Sequence, residues 1–501
     1  MISRQSLSIM LNNAVGSFLG FASMFLILRY MGAEALGIVA FGMGFAGLFS
    51  SITNLGTNSA HVKRISEGRN EPDCVATYIL IKFVLTSIYG VIVLFSLYVW
   101  TDILGNGFES DLQRYSIYIF TIYWIFFSLS NIFITTFMGR REMVKAQIPN
   151  FVNNVSRFLL IVFVALFSLG TVTLMWSYTI AMFIGFIAGM LLFHGTRIGK
   201  VSRTDIRSYY SFALPLALSS SVTVIAANFD AVIIQYFWGA LEVSYFFAAQ
   251  KIWLMMRSVG IAVATSLFPF ISKMHKKGDI GVIRTSSRLA ERYISLITTP
   301  LALFIITFSV SVVHVLLSDA LLPAIPVIRV MTLAGLLGAV NYPYVYLIMG
   351  MDRSDISGKI LSLRGGLNIV LSFVLVSSVI FGVRLFGLGP FGSGLALLLS
   401  LVVAGSIERI ISWRLARVLP ETDVLKHLIA ALLTSILFLQ IDTSWATRWY
   451  TLSILGILYL GLYSLILYLI GGLKKEDIDL ILDTLNPFKM FRYISDEVRG
   501  K

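Results

Sequence analysis

The sequence predicts an all-α polytopic membrane protein of about fourteen transmembrane helices. They form two six-helix lobes related by a pseudo-twofold axis along the membrane normal, with two extra C-terminal helices. Three observations lead there. The 501 residues are 57% hydrophobic and only 13% charged, with mean hydropathy +0.85, whereas soluble domains carry roughly twice that share of charge. Unbroken apolar runs of about 20 residues recur along the chain, each long enough to cross a bilayer as a helix. Basic residues gather in alternate connections, as they do in loops that stay on the cytoplasmic side.

The apolar runs place helices in order at residues 8–30, 36–60, 76–100, 113–138, 151–169 and 171–193. A second series follows at 211–237, 242–268, 291–317, 323–349, 357–381 and 391–414, and a final pair at 428–441 and 449–469. The runs are continuous rather than alternating, which excludes a β-barrel. The domains are then 1–200 and 201–416 for the lobes, 417–472 for the last two helices, and 473–501 for a tail. In that tail the apolar residues from Ile478 to Ile494 share one stripe, interrupted at Pro487, and predict an amphipathic helix on the cytoplasmic interface.

Loop charge supports this register. Lys63, Arg64 and Arg69 follow the second helix, and Arg140, Arg141 and Lys145 follow the fourth. Arg197, Lys200, Arg203 and Arg207 join the two lobes, and Lys273 through Arg288 follow the eighth helix. Arg353 and Lys359, then Arg414, Arg417 and Lys426, continue the series, while the intervening connections are short and hold few cations, Arg384 and Arg448 among them. Both termini are therefore expected in the cytoplasm, with the chain in the cell membrane. The net charge of +13 is explained by these loops, not by nucleic acid. Cys74 is the single cysteine and the five histidines are scattered without an HExxH spacing, so no metal and no cofactor are expected. GxGxxG at Gly42–Gly47 lies inside a helix and at Gly387–Gly392 follows no strand; neither is a dinucleotide site. The GxxxG pairs Gly16/Gly20 and Gly185/Gly189 read as packing within a monomer.

The chain repeats itself. YMGAEALG follows the first helix and FWGALEVS the seventh, with Gly32 and Gly239 standing 207 positions apart. FMGRRE follows the fourth helix and IMGMDR the tenth, with Gly139 and Gly350 standing 211 apart. Two pairs at nearly one offset mark two homologous halves. An even number of helices per half makes the repeats parallel, with a substrate path between them near the midplane.

These stretches, with NFDAVIIQYFWGALEVSYFFAAQKIW over the seventh and eighth helices, carry a resemblance. Over about residues 6–416 the chain resembles the polysaccharide-transporter branch of the multidrug/oligosaccharidyl-lipid/polysaccharide exporter superfamily. The resemblance implies a flippase that moves polyprenyl-(pyro)phosphate-linked oligosaccharide from the cytoplasmic to the outer leaflet by alternating access of two lobes.

Ionisable residues within spans are costly and mark pathways or buried pairs. Asp230 stands about 9–10 Å inside one helix and Lys251 about 12 Å inside the next, at matched depth across a tight turn, so an ion pair is one reading and a pathway role the other. Arg257 lies too deep to reach the interface and is assigned to the cavity, where its planar fork suits a phosphate. Arg329 is intermediate. Arg29 and Lys82 stand near helix ends, which favours snorkelling, yet they remain cavity candidates. Asn228 is a further cavity candidate; it belongs with Asn12, Asn131, Asn341 and Asn368 among polar groups of which some are expected to hydrogen-bond sugar hydroxyls and most to act as helix–helix glue. Glu408 and Arg409 read as a surface pair.

The expected partners are lipid-linked oligosaccharide, membrane lipids and a coupling ion, H+ or Na+. A cation-coupled multidrug exporter is the nearest rival, but the first helix has no carboxylate and the cavity candidates are mostly cationic. A membrane glycosyltransferase or polymerase needs catalytic residues on a sizeable outer loop, and the outer connections are about a dozen residues or fewer. A pore or scaffold needs no repeated lobes. No Walker A sequence is present, so the chain is not expected to hydrolyse ATP.

Overall fold

A computed structural model describes residues 2–103, 108, 110–380, 382–440, 446–473 and 477. The expected amphipathic tail falls outside the described residues apart from Asp477. The helices are α1 (Ile2–Tyr30), α2 (Ala33–Leu48), α3 (Thr57–Ser66), α4 (Glu71–Tyr98), α5 (Asp111–Gly139), α6 (Met143–Leu166), α7 (Thr171–Phe193) and α8 (Arg203–Trp238). They continue as α9 (Ala240–Lys276), α10 (Ile280–Thr307), α11 (Ser309–Leu316), α12 (Ile325–Gly350), α13 (Ser354–Val376), α14 (Gly389–Ala416), α15 (Asp423–Leu439) and α16 (Trp449–Leu469). A two-residue hairpin, β1 (Val379–Ile380) with β2 (Val383–Arg384), lies between α13 and α14, so Gly387–Gly392 follows a short strand, contrary to expectation, because α13 ends at Val376.

Among the described residues, 11 helices are long and apolar enough to cross a membrane, or 12 when the bent pair α2–α3 counts as one. The other two predicted spans are α1, whose apolar stretch is Val15–Tyr30, and α15, at 17 residues. Large apolar side chains such as Val91, Phe95, Ile457 and Leu469 are exposed, a surface that suits lipid.

The structure departs from the expected elements at three places, and at the first two the physical reason is plain. The second predicted helix is broken, with a 49° bend between its halves. Around Thr53-Asn54-Leu55-Gly56 polar side chains compete for backbone groups: Thr53 Oγ1 donates to Ser50 O, and Asn54 Oδ1 accepts from Asn58 N. Gly56 then takes φ 78°, which a glycine adopts without strain. The basic stretch after the eighth predicted helix is mostly helical, because α9 continues to Lys276 and α10 starts at Ile280, where Asp279 caps the Val282 amide at 3.1 Å. The ninth predicted helix divides at Phe308 into α10 and α11.

The internal repeat is written in backbone geometry. Gly32 and Gly239 have φ/ψ of 89°/168° and 95°/−179°, a region open essentially to glycine alone. Gly139 ends α5 and Gly350 ends α12, and two residues on, Arg141 and Asp352 have φ of 64° and 58°. A Cβ on Gly139 would meet Ile65 at 2.8 Å, and one on Gly350 would meet Ile271 at 2.7 Å. The same close approach, glycine against isoleucine, recurs in each half.

The residues cluster into two compact units. One comprises Gln5–Phe247 and Leu361–Ala396, the other Met1–Arg4, Ala248–Ile360 and Leu397–Lys501. In the first, α2 packs on α5 and α8. Glycines make that possible: a Cβ on Gly44 would meet Ala231 at 2.8 Å, and one on Gly47 would meet Asn228 at 2.5 Å. This explains the Gly42–Gly47 run as close helix packing. Gly185 and Gly189 likewise fit against Pro149 and Phe133. The core here centres on Tyr78, Ile81, Phe133, Phe137 and Tyr209. In the second unit α10 packs on α12 and α15, and α15 on α16, around Ile271, Ile283, Tyr344, Leu347 and Ile348.

Candidate functional site

Arg257 sits on α9 one helical turn beyond Trp253. Its guanidinium lies 5.4 Å from the Trp253 ring and 5.7 Å from that of Tyr342 on α12, and its Nε donates to the Tyr342 hydroxyl. Tyr342 in turn neighbours Tyr346, at 6.4 Å, and Tyr346 neighbours Phe268, at 6.2 Å. The arginine is half-buried. Aromatic faces hold the cation electrostatically and desolvate it partly, while the terminal nitrogens of the fork can take a doubly hydrogen-bonded oxyanion. Arg257 is thus half-buried and held in one orientation by its aromatic neighbours. The sequence did not identify Trp253 and Tyr342 as its supports, although Trp253 at i−4 was visible as a same-face neighbour.

Lys251 is also on α9 and half-buried. Arg329, near the start of α12, is exposed and donates through Nε to Ser309 Oγ at 2.9 Å. It is tied to α11 and does not join the Arg257–Tyr342 cluster.

Asp230, on α8 in the other unit, is 5% exposed. Its Oδ1 accepts from Ser372 Oγ at 2.6 Å and its Oδ2 from Asn368 Nδ2 at 3.4 Å, both on α13. The carboxylate therefore draws its hydrogen bonds from hydroxyl and amide groups within its own unit. Asn228, two residues earlier, donates to Val224 O at 2.8 Å while its side-chain oxygen fills the space that Gly47 leaves. These contacts pack it against α2.

Lys82 differs from its favoured reading. Instead of snorkelling it is fully buried, with Nζ donating 2.8 Å to Thr53 O and lying 5.6 Å over the Tyr78 ring. The broken second helix supplies the reason, since its bend frees a carbonyl that needs a donor. Arg29, in the last turn of α1, is exposed.

Glu408 and Arg409 are not a surface pair with each other. Glu408 accepts from the Asn341 amide. Arg409 donates 2.8 Å to Glu291 Oε1 and 3.1 Å to the Tyr344 hydroxyl, and Tyr344 and the Glu421 amide both donate to Glu291 Oε2. Glu291 is 1% exposed. A second cluster pairs Arg292 with Asp423 at 2.9 Å and Asp477 at 2.5 Å. In the first unit His61 is buried, bonded to Tyr209 and Thr136 and stacked on Tyr78. Buried Arg64 hydrogen-bonds the exposed Glu67 and holds its carboxyl below the usual range. None of these networks was foreseen; apart from the local Arg64–Glu67 pair, their members lie on helices distant in sequence, and spacing reveals a face but not the partner across it.

Among the described residues no group of His, Cys, Asp and Glu is arranged to hold a metal ion.

A family model described as polysaccharide biosynthesis protein matches residues 2–275. An uncharacterized membrane protein of Methanocaldococcus jannaschii is 24% identical over 176 residues, 35% of this chain and 35% of its own length; the chain thus spans about a third of that relative. Among solved structures, the lipid II flippase MurJ in an inward closed conformation superposes with a TM-score of 0.73 at 14% identity, covering 93% of this chain and 98% of its own. An inward-facing multidrug resistance MATE family transporter gives 0.61 at 17% identity, over 79% and 94%. A transporter of the same superfamily from Pyrococcus furiosus gives 0.54 at 16%, over 83% and 95%. At such identities the structures establish a shared fold. The family match covers more than half of the sequence, and the chain belongs to the polysaccharide biosynthesis protein family, with the two-lobed helical fold of the multidrug/oligosaccharidyl-lipid/polysaccharide exporters.

Proposed function

We propose that this chain is a flippase that carries polyprenyl-(pyro)phosphate-linked oligosaccharide from the cytoplasmic to the outer leaflet, for polysaccharide or glycan biosynthesis. The single observation that carries the reading is Arg257, a half-buried guanidinium held against Trp253 and Tyr342 with its fork uncommitted among the described residues. An anionic phosphate group matches that fork, and aromatic faces beside it match a sugar ring. The family and the fold shared with a protein named for lipid II transfer support the same reading.

In this account two lobes, 1–200 and 201–416, alternate access to the path, and 417–472 and 473–501 are appended to them. The chain works in the cell membrane as a monomer with both termini cytoplasmic, the side on which its basic loops belong. It forms and breaks no covalent bond. Asp230, the buried carboxylate with Ser372 and Asn368 as partners, is the residue assigned to a coupling proton or sodium ion. Lys251 accompanies Arg257 on α9, and Lys82, Arg29, Asn228 and Arg329 are the further candidates for the path.

The test is reconstitution of the full chain into vesicles with labelled polyprenyl-diphosphate oligosaccharide. Outer-leaflet appearance should fall at least about 10-fold in Arg257→Ala, the loss of one charge-assisted bidentate contact, with the unfolding midpoint retained. Arg257→Lys should recover only part, because a point charge lacks the fork. Undiminished transfer by a folded Arg257→Ala protein rejects the proposal.

A further inference from the structure

Away from Arg257, the first unit carries a cavity of about 400 Å³ bounded by the start of α4 (Glu71, Pro72), Arg140 after α5, Lys145 on α6, Leu192 on α7 and the segment His194–Arg197. The cavity is built rather than incidental. Arg140 places Nε 2.7 Å from Glu71 Oε1 and reaches Thr196 Oγ1 at 3.1 Å. The connection that follows α7 is strapped to α4: Gly199 N donates to Pro72 O at 2.8 Å, and Lys200 N to Asp73 Oδ1 at 2.8 Å. A Cβ on Gly199 would meet that carboxylate oxygen at 2.1 Å, so the strap fits only as glycine.

The lining holds three permanent cations and one carboxylate. Glu71 is engaged with Arg140, and Lys145 is shared with Glu142 at 3.0 Å; Arg197 is exposed beside them. One chain position from the lining residues stand three large apolar side chains turned outward: Val144 at 58%, Leu191 at 68% and Ile198 at 63% exposure. A basic pocket between helix ends with an apolar rim matches an amphiphile whose head is anionic and whose body is hydrocarbon. A free phosphate would use the cations and leave the rim without a purpose.

We infer that this cavity binds the phosphate headgroup of an anionic membrane phospholipid, with its acyl chains on the Val144–Leu191–Ile198 rim. The bound lipid bridges α5, α6 and the strap that leads from α7 into α8. This site is separate from the Arg257 cluster, and its test does not depend on the substrate transported.

The experiment is native mass spectrometry of the full chain in detergent, titrated with phosphatidylglycerol or phosphatidylcholine. Wild type should bind one phosphatidylglycerol in preference to phosphatidylcholine. In Lys145→Gln with Arg197→Gln that preference should weaken about 10- to 30-fold, from the loss of two charges near the headgroup. Arg384→Gln, on the hairpin strand β2, should leave it intact. Arg197→Gln alone, at an exposed position, keeps the test open if the double variant unfolds. Equal binding of both lipids, or equal loss in Arg384→Gln, overturns the site. Displacement of phosphatidylglycerol by inorganic phosphate at equal concentration makes the ligand a soluble anion and overturns the lipid assignment.

Discussion

Lys82 Nζ donates a 2.8 Å hydrogen bond to the carbonyl of Thr53, at the point where the second apolar run bends between α2 and α3. A lysine with no exposed surface thereby serves a backbone oxygen released by the bend. Lys82→Met should lower stability by about 1–3 kcal/mol, the cost of a buried acceptor left without its donor, read as the unfolding midpoint in detergent. Lys82→Gln, which keeps a donor on a shorter arm, should recover part of it. A methionine variant as stable as wild type would show that the carbonyl has another donor.

The Gly239-Ala240 turn, after the first long helix of the second half, lies against α2, the second helix of the first. A Cβ built on Gly37 falls 1.7 Å from the Ala240 carbonyl oxygen. Gly37→Ala should therefore force α2 away from that turn, at about 1–3 kcal/mol or more. Gly90→Ala, where nothing lies within 4 Å, should be neutral or stabilising by up to about 1 kcal/mol, since alanine is the better helix former. Denaturation of the two variants side by side provides the comparison, and equal effects would contradict the close approach.

Glu291 is buried and takes hydrogen bonds from Arg409, Tyr344 and the Glu421 amide. Arg409→Met removes the one permanent cation in that set and should destabilise by about 3 kcal/mol, the usual cost of leaving a buried charge alone. Adding Glu291→Gln should restore a good part of the loss. If the two changes simply add, the pair is not coupled.

Asp230→Asn exchanges a buried carboxylate for its isostere. The Ser372 hydroxyl retains an acceptor, and the new amide faces Asn368, whose buried Oδ1 has no donor among the described residues. The fold should be at least as stable. Transport in vesicles should lose its response to an imposed proton or sodium gradient. A gradient response equal to wild type would remove Asp230 from coupling.

The architecture was legible because it rests on local facts. Apolar length sets the spans; Gly32 and Gly239 announce the repeat because their φ/ψ exclude side chains, and Gly139 and Gly350 because an isoleucine stands where a Cβ would be. The break at Ser50–Gly56 was hidden inside an apolar run, where Thr53 and Asn54 looked like ordinary polar guests. Lys82 was misplaced for the same reason, since a lysine near a helix end normally finds water unless something inside needs it. Glu291 and Arg409 are 118 positions apart; only tertiary packing brings them together. Arg257 could be placed by depth alone, but its supports, Trp253 and Tyr342, required knowing which face of α12 it meets.

The contact at Gly37 also bears on how such a chain can change over generations. A main-chain oxygen from the later half occupies the volume that a methyl group would need in the earlier one, so position 37 is held to glycine whatever side chain stands at 240. The tolerance there is a single atom: hydrogen fits, and a methyl group does not.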